Sequence, residues 1–326
     1  MHVGVWGWVA FNGFILAMLA LDLGVFNRKA HVIRVKEALI WTAVWISLAL
    51  LFGAVIYLRA GPESAIQYLT GYLAEKVLSM DNIFVMVIVF RFFGVPQMEQ
   101  HRVLFWGILG ALVLRGAFIG AGAMVLERWH WVLYMFGALL VITGVRAALR
   151  KDDVPDLELN PVVRIARRVL RITDGYRGHH FVVREGGRLY ATPLLVVLLT
   201  IEATDVLFAM DSIPAVFAIT QDPFLVYTSN IFAILGLRSM YFVLADFVYR
   251  FVYLKYALSA ILVFIGAKLL LARVVELPSL ASLAVILASV TLAIVLSVLK
   301  ARREPDSPRP PGRPTPDPTP PPAPPA

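Results

Sequence analysis

Apolar residues run along this chain in stretches of about twenty, the length an α-helix needs to cross a ~30 Å hydrocarbon layer. Nine such stretches are predicted as spanning helices, at roughly 3–26, 38–58, 67–90, 103–126, 130–149, 192–218, 223–246, 252–271 and 279–299. The first is too long, too polar at Asp22 and too poor in preceding basic residues for a cleavable leader, so it is expected to remain as a helix. Two segments break the pattern. In residues 150–191, Arg164, Arg167, Arg168 and Arg171 recur at helical spacing opposite Val163, Ile165, Ala166, Val169 and Leu170, which predicts an interfacial helix. Phe181 to Tyr190 then reads as a hairpin turning at Gly186-Gly187. Residues 304–326 are rich in proline and lack apolar periodicity, so that tail is expected to be disordered or extended.

Composition sharpens this. Of 326 residues, 59% are hydrophobic and 16% charged, with a mean hydropathy of +0.76. Soluble domains run near ~45–50% apolar and ~25% charged, so an ordinary soluble enzyme is excluded. The chain has no cysteine. That removes disulfides, thiolate metal sites and cysteine nucleophiles together, and leaves oxygen or imidazole for any metal. The net charge of +8 rests on 30 Lys and Arg. Four fall within spans: Lys76, Arg115, Arg238 and Lys268. With the N-terminus outside, only Arg59, Arg128 and Arg273 are external, and the remainder cluster on the inner side. Trp6, Trp8, Trp129 and Trp131 then fall at the outer interface, where amphipathic indoles prefer to sit. The positive charge therefore reports orientation, N-terminus out and C-terminus in, and not nucleic-acid binding.

The chain also matches itself. Glu75 to Ile83 (EKVLSMDNI) aligns with Asp205 to Ile213 (DVLFAMDSI), Leu114-Arg115-Gly116 with Leu237-Arg238-Ser239, and Gly137 to Arg146 with Ser259 to Lys268. Three spans separate the equivalent helices, and the odd number turns the second half upside down, an arrangement found in transporters. The expected organisation is all-α and polytopic. It has two N-terminal helices (1–66), repeat one (67–149), an inner loop (150–191), repeat two (192–271), a last helix (272–303) and the tail.

Charge then stands where it is costly. Glu75, Asp81, Glu202, Asp205 and Asp211 lie inside spans three and six, at ~2.5–3.5 kcal/mol each on insertion scales, or roughly 12–17 kcal/mol together. Asn82 and Ser212 adjoin them. Pro214 cannot donate to the Met210 carbonyl, which predicts an irregular helix beside Asp211. Carboxylates, an amide, a hydroxyl and a freed carbonyl suit a hard divalent cation such as Mn²⁺, Mg²⁺ or Ca²⁺, and clustered carboxylates also take up protons, a route to metal/proton exchange. Lys76, Arg115 and Arg238 are the expected counter-charges. Asp22 and Asp246 read as solvated partners near the inner face, and the pair His179-His180 as a solvated loop pair. Asp81 and Asp211 on separate helices could suggest an intramembrane aspartyl protease. Their Ser-Met and Ala-Met contexts do not match the Tyr-Asp and Gly-x-Gly-Asp contexts of that class, so no enzymatic role is expected.

At these residues the sequence resembles a known family. Glu75 to Val85 (EKVLSMDNIFV) and Ile201 to Ala215 (IEATDVLFAMDSIPA) are similar to the two signature segments of the TerC/Alx family of bacterial integral membrane proteins, named for tellurium resistance. The likeness extends through Asp22 to Asn27, Ala191-Thr-Pro193, Ser229 to Arg238 and Tyr253-Leu-Lys255, and covers about residues 15–272. It implies a member of the LysE-type transporter superfamily in the bacterial inner membrane that exports Mn²⁺. Glu75, Asp81, Glu202, Asp205 and Asp211 would then form the metal set, with Asn82 and Ser212 adjoining and no permanently bound cofactor. The other reading is a non-transporting membrane component of a tellurite or metal stress-response complex. Longer relatives carry a cytoplasmic regulatory domain after the last helix, where this chain has the proline-rich tail.

Overall fold

The computed structural model describes residues 3–21, 35–149, 161–245, 253–272, 274 and 277–303. Asp22, Asp246 and the tail at 304–326 lie outside them. The helices are α1 (Val5–Leu21), α2 (Val35–Phe92), α3 (Gln97–Arg128), α4 (Val132–Leu149), α5 (Pro161–Val169), α6 (Pro193–Phe217), α7 (Pro223–Leu235), α8 (Leu237–Leu244), α9 (Leu254–Leu270) and α10 (Ser279–Arg303). Among the described residues, α2, α3, α4, α6 and α10 are long and apolar enough to cross a membrane. Strands β1 (Val182–Glu185) and β2 (Arg188–Ala191) form an antiparallel hairpin outside the bundle. Gly186 and Gly187 turn it with φ of 55° and 79°, the double positive φ that a two-residue hairpin loop requires.

The 58 residues of α2 are not one rod. Gly61 takes φ 87° and ψ 176°, a conformation open to glycine alone, and Pro62 restarts the helix with the fixed φ of a first-turn residue. The arms 35–60 and 62–92 fold back on each other. Tyr68 donates to the Ala49 carbonyl at 3.1 Å, and its ring packs on Phe52. On a straight helix those backbones would stand ~28 Å apart. Phe11 of α1, Phe52, Tyr68, Phe224 and Phe232 of α7 complete this aromatic core.

Two expectations change. The stretch 223–246 is not a continuous helix, because Gly236 separates α7 from α8. Conversely, α6 runs unbroken through Pro214. Its missing N–H falls in the last turn, where the Met210 carbonyl loses one partner but little helix remains to be disrupted. The break that exposes backbone lies instead at Gly236, and Lys76 donates to the Ala233 carbonyl at 3.1 Å in the final turn of α7.

Helices α4 and α9 cross at backbone contact. A Cβ on Gly137 would lie 3.0 Å from the Gly266 carbonyl, one on Gly266 2.7 Å from the Gly137 carbonyl, and one on Gly144 2.9 Å from the Ser259 carbonyl. Gly137 therefore meets Gly266, while Gly144 meets Ser259, whose hydroxyl donates to the Gly144 carbonyl. The helices are antiparallel. Gly144→Val should destabilise the protein by about 1–3 kcal/mol through overpacking, read as a lowered Tm in detergent. Gly120→Ala, inside α3 with nothing within 4 Å of the new carbon, should hold Tm or raise it slightly, since alanine loses less backbone freedom in a helix.

At the other end of the bundle from Gly61, α5 lays Val163 and Ala166 on α6 and leaves Ile165 and Val169 exposed. The following segment docks on the α2–α3 turn. Tyr176 donates to the Phe93 carbonyl at 2.6 Å, His179 Nδ1 stands 2.7 Å from Glu99 Oε1, and Arg102 lies over the Phe181 ring. His179 is thus half-exposed but tied to a buried carboxylate, where a solvated loop residue was expected.

Candidate charged centre in the bundle

Arg115, on α3, is 1% exposed and is the organising group of the bundle interior. Its Nη2 and Nε donate to the two oxygens of Asp205 on α6, at 3.0 and 3.3 Å. This is the bidentate fork that suits guanidinium to carboxylate. Nη1 pairs with Glu75 on the second arm of α2 and also reaches Asn230 Oδ1 at 3.0 Å and Ser212 Oγ at 3.1 Å. Asn82 donates to Asp205 Oδ1 at 2.9 Å. One guanidinium therefore ties together α2, α3, α6 and α7.

The centre joins equivalent positions of the two matching segments. Glu75 aligns with Asp205, and Asn82 with Ser212, so Arg115 sits between a residue and its counterpart. Its own counterpart does not join it. Arg238 lies near Glu37, Trp41, Trp45 and Ser239, against the first arm of α2. Lys76, adjacent to Glu75, points to α7 instead of the acids.

The remaining acids are spread out. Glu202, one turn before Asp205, packs its carboxylate against Gly107 and Gly110 of α3. Asp211 accepts from Thr143 of α4 at 3.1 Å, and Asp81 is exposed. Asp81 and Asp211 stand six residues beyond Glu75 and Asp205 on helices that run in opposite directions, so they lie on opposite sides of the centre, each ~9 Å along its axis. Among the described residues no three His, Asp or Glu side chains converge as a metal cage.

Several buried polar atoms at the centre have no hydrogen-bond partner: Glu75 Oε2, Ser79 Oγ, Asn82 Oδ1, Asn230 Nδ2 and, one turn away, Glu202 Oε2. Glu75, Ser79 and Asn82 follow one another at i, i+4 and i+7 and form a single stripe. Such atoms are costly when unsatisfied, typically ~1–3 kcal/mol each. Two carboxylates also face one guanidinium, leaving an excess of acid over base, with the Glu202 carboxyl one turn away. A cation would supply what the unpartnered oxygens and the charge lack, whereas the Asn230 amide N–H calls for an acceptor. Ser79 and Asn230 were missed from the sequence. The signal for Ser79 was its helical spacing between Glu75 and Asn82, whereas Asn230 had only its place as an amide in an apolar stretch.

A helical bundle with long apolar spans around a buried acid–arginine centre defines an integral membrane protein with an interior polar site. The chain matches the integral membrane protein TerC family over residues 60–305 and belongs to it. It is 54% identical over 300 residues to an uncharacterized membrane protein of Myxococcus xanthus, covering 92% of this chain and 94% of that one. It is also 47% and 45% identical to the proposed membrane-bound redox modulator Alx of Salmonella typhi and of Escherichia coli K12, in each case over 89% of this chain and 93% of the relative. No solved structure matches it.

Proposed function

We propose that the protein exports a hard divalent cation, Mn²⁺ foremost, across the bacterial inner membrane by alternating access through the centre around Arg115. The observation that carries this is the stripe of unpartnered oxygens at Glu75, Ser79 and Asn82 beside a buried carboxylate pair that shares one guanidinium. Hard cations take oxygen ligands, and the chain offers no thiolate. Mn²⁺ is favoured within that class by the family likeness. In this reading Glu75 and Asp205 are the central ligands, with Asn82 and Ser212 adjoining. Asp81 and Asp211 receive and release the ion on either side, and Arg115 holds the acids apart when the ion has left.

The same reading takes the chain as nine crossings. The two arms of α2 count separately, and α7 with α8 count as one broken crossing. Residues 67–149 and 192–271 form an inverted pair of three-helix repeats. The reciprocal meeting of Gly137 with Gly266 and Gly144 with Ser259, positions that align in reverse, supports the inversion. Exposed Trp129 and Trp131 at the Gly61 end of the bundle, with Trp8 packed on Phe224 beside them, support an N-terminus outside.

Uptake of radioactive manganese into inverted vesicles tests the proposal. Uptake above vesicles lacking the protein supports it, and none would make the chain a non-transporting membrane component. Glu202, a half-buried acid whose Oε2 is enclosed next to the Arg115 pair, is placed to carry a returning proton. An imposed gradient, acidic inside the inverted vesicle, should speed uptake by the parent protein, and Glu202→Gln should remove that dependence while uptake without a gradient persists.

A further inference from the structure

At the Gly61 end of the bundle a cavity of about 550 Å³ opens between Gln67 of α2, Trp131 and Tyr134 of α4, Gln221 after α6, and Lys268 of α9. One wall is a chain of polar contacts where a membrane protein would otherwise present apolar packing. Thr220 donates to Gln67 at 2.7 Å, Gln67 to Glu63 at 3.2 Å and Ser279 to Glu63 at 2.6 Å, while Lys268 donates to Ser282 at 2.9 Å. Polar, roomy space of this kind holds water.

The cavity lies directly over the charged centre. Gln67 stands eight residues from Glu75 on α2, and Phe217 stands five residues from Ser212 on α6, so ~8–12 Å separate the two polar regions. What fills that gap is dry: Phe217, Val216 and Val226 are each at most 1% exposed, with Ile213 and Ile119 beside them. The layer is also thin. Phe217 both lines the cavity and closes the layer, and its partner across the gap is a glycine. A Cβ on Gly122 would lie 3.0 Å from Phe217 Cε2. Beside it, Gly71 leaves room for Val216 and for Ser229, the residue preceding the Asn230 that contacts Arg115.

We infer that this cavity is the external mouth of the path to the charged centre, and that the Phe217 ring, seated on Gly122, is the seal between them. A single aromatic ring on a glycine is a closure that can swing aside without unpacking a helix, since a ring needs only a change of rotamer. The assignment rests on the transport reading and its orientation, but its test needs no metal, so the two can fail separately.

Because the chain has no cysteine, each introduced thiol is read alone. Gln221→Cys places a thiol in the cavity, and Ser229→Cys places one beneath the seal. A membrane-impermeant methanethiosulfonate added to intact cells should label Gln221→Cys and leave Ser229→Cys protected. Combining Ser229→Cys with Phe217→Ala should raise its labelling by about tenfold or more, since thiol reactivity follows access. If Phe217→Ala fails to reach the membrane, Phe217→Leu carries the same comparison with a smaller rise. Lack of labelling of Gln221→Cys from outside would overturn the mouth. Equal labelling of Ser229→Cys with and without Phe217, whether high or low, would overturn the seal.

Discussion

Replacing Arg115 by methionine should destabilise the protein by about 3–5 kcal/mol, the cost of leaving a buried ion pair with one partner missing. Glu75 and Asp205 would then face each other without a cation, along with the orphaned oxygens of Asn230 and Ser212. The measurement is the amount of folded protein recovered from membranes and its Tm in detergent. Neutralising the acids as well, in the triple variant Arg115→Met, Glu75→Gln, Asp205→Asn, should restore much of the stability, because no unpaired charge then remains buried. It should not restore manganese resistance. Recovery of stability without function would separate the structural share of the centre from its use. If Arg115→Met alone were as stable as the parent, the ion pairs around it would not be what binds α2, α3, α6 and α7.

The second large effect concerns the acids themselves. Asp205→Asn and Glu75→Gln keep the shape of the centre and remove a charge. Each should lower manganese transport by at least the ~10–100-fold that loss of even an outer partner of a metal ligand costs. Asp81→Ala and Asp211→Ala should likewise abolish rescue of a manganese-sensitive host. Their surroundings make this a clean comparison. Asp81 is exposed and Asp211 accepts from the Thr143 hydroxyl, and among the described residues neither is in a buried ion pair, so protein levels should stay normal. Full rescue by both alanine variants would take the two aspartates off the ion path and leave Glu75 and Asp205 as the only carboxylates on it.

The acids and Arg115 were legible in the sequence because charge in an apolar span is conspicuous, and because the two matching segments pointed to the same residues twice. Which of them meet was not legible. Six residues turn a helix by ~600°, so Asp81 cannot share a face with Glu75, and only the packing of α6 against α2 and α3 decides that Glu75 and Asp205 form the pair. The matched positions of Arg115 and Arg238 suggested equal roles, yet one guanidinium pairs with both acids and the other packs by the first arm of α2. Pro214 drew attention as a helix breaker, whereas the break came at Gly236. Proline late in a helix disturbs few bonds, while a glycine facing Lys76 lets an ammonium reach the backbone. Ser79 and Asn230 are small polar groups of a kind common in spans, and their importance lies in the unpartnered Ser79 Oγ and in an Asn230 amide that meets Arg115 through Oδ1 while its Nδ2 has no partner, which only the packing of the helices reveals.

The length of α3 has a mechanical result. At 32 residues it is ~48 Å long, and even tilted by ~40° it extends ~37 Å along the normal, more than the ~30 Å hydrocarbon layer. Some of the helix must therefore stand clear of the lipid. Its first turn carries Glu99, to which His179 is tied, and the preceding turn takes Tyr176. Deep in the bundle, the same rod carries Arg115. Helix α3 is thus a lever with the charged centre along its shaft and the hairpin segment at its tip, so any change in its tilt would be displayed at the membrane surface as a displacement of that segment.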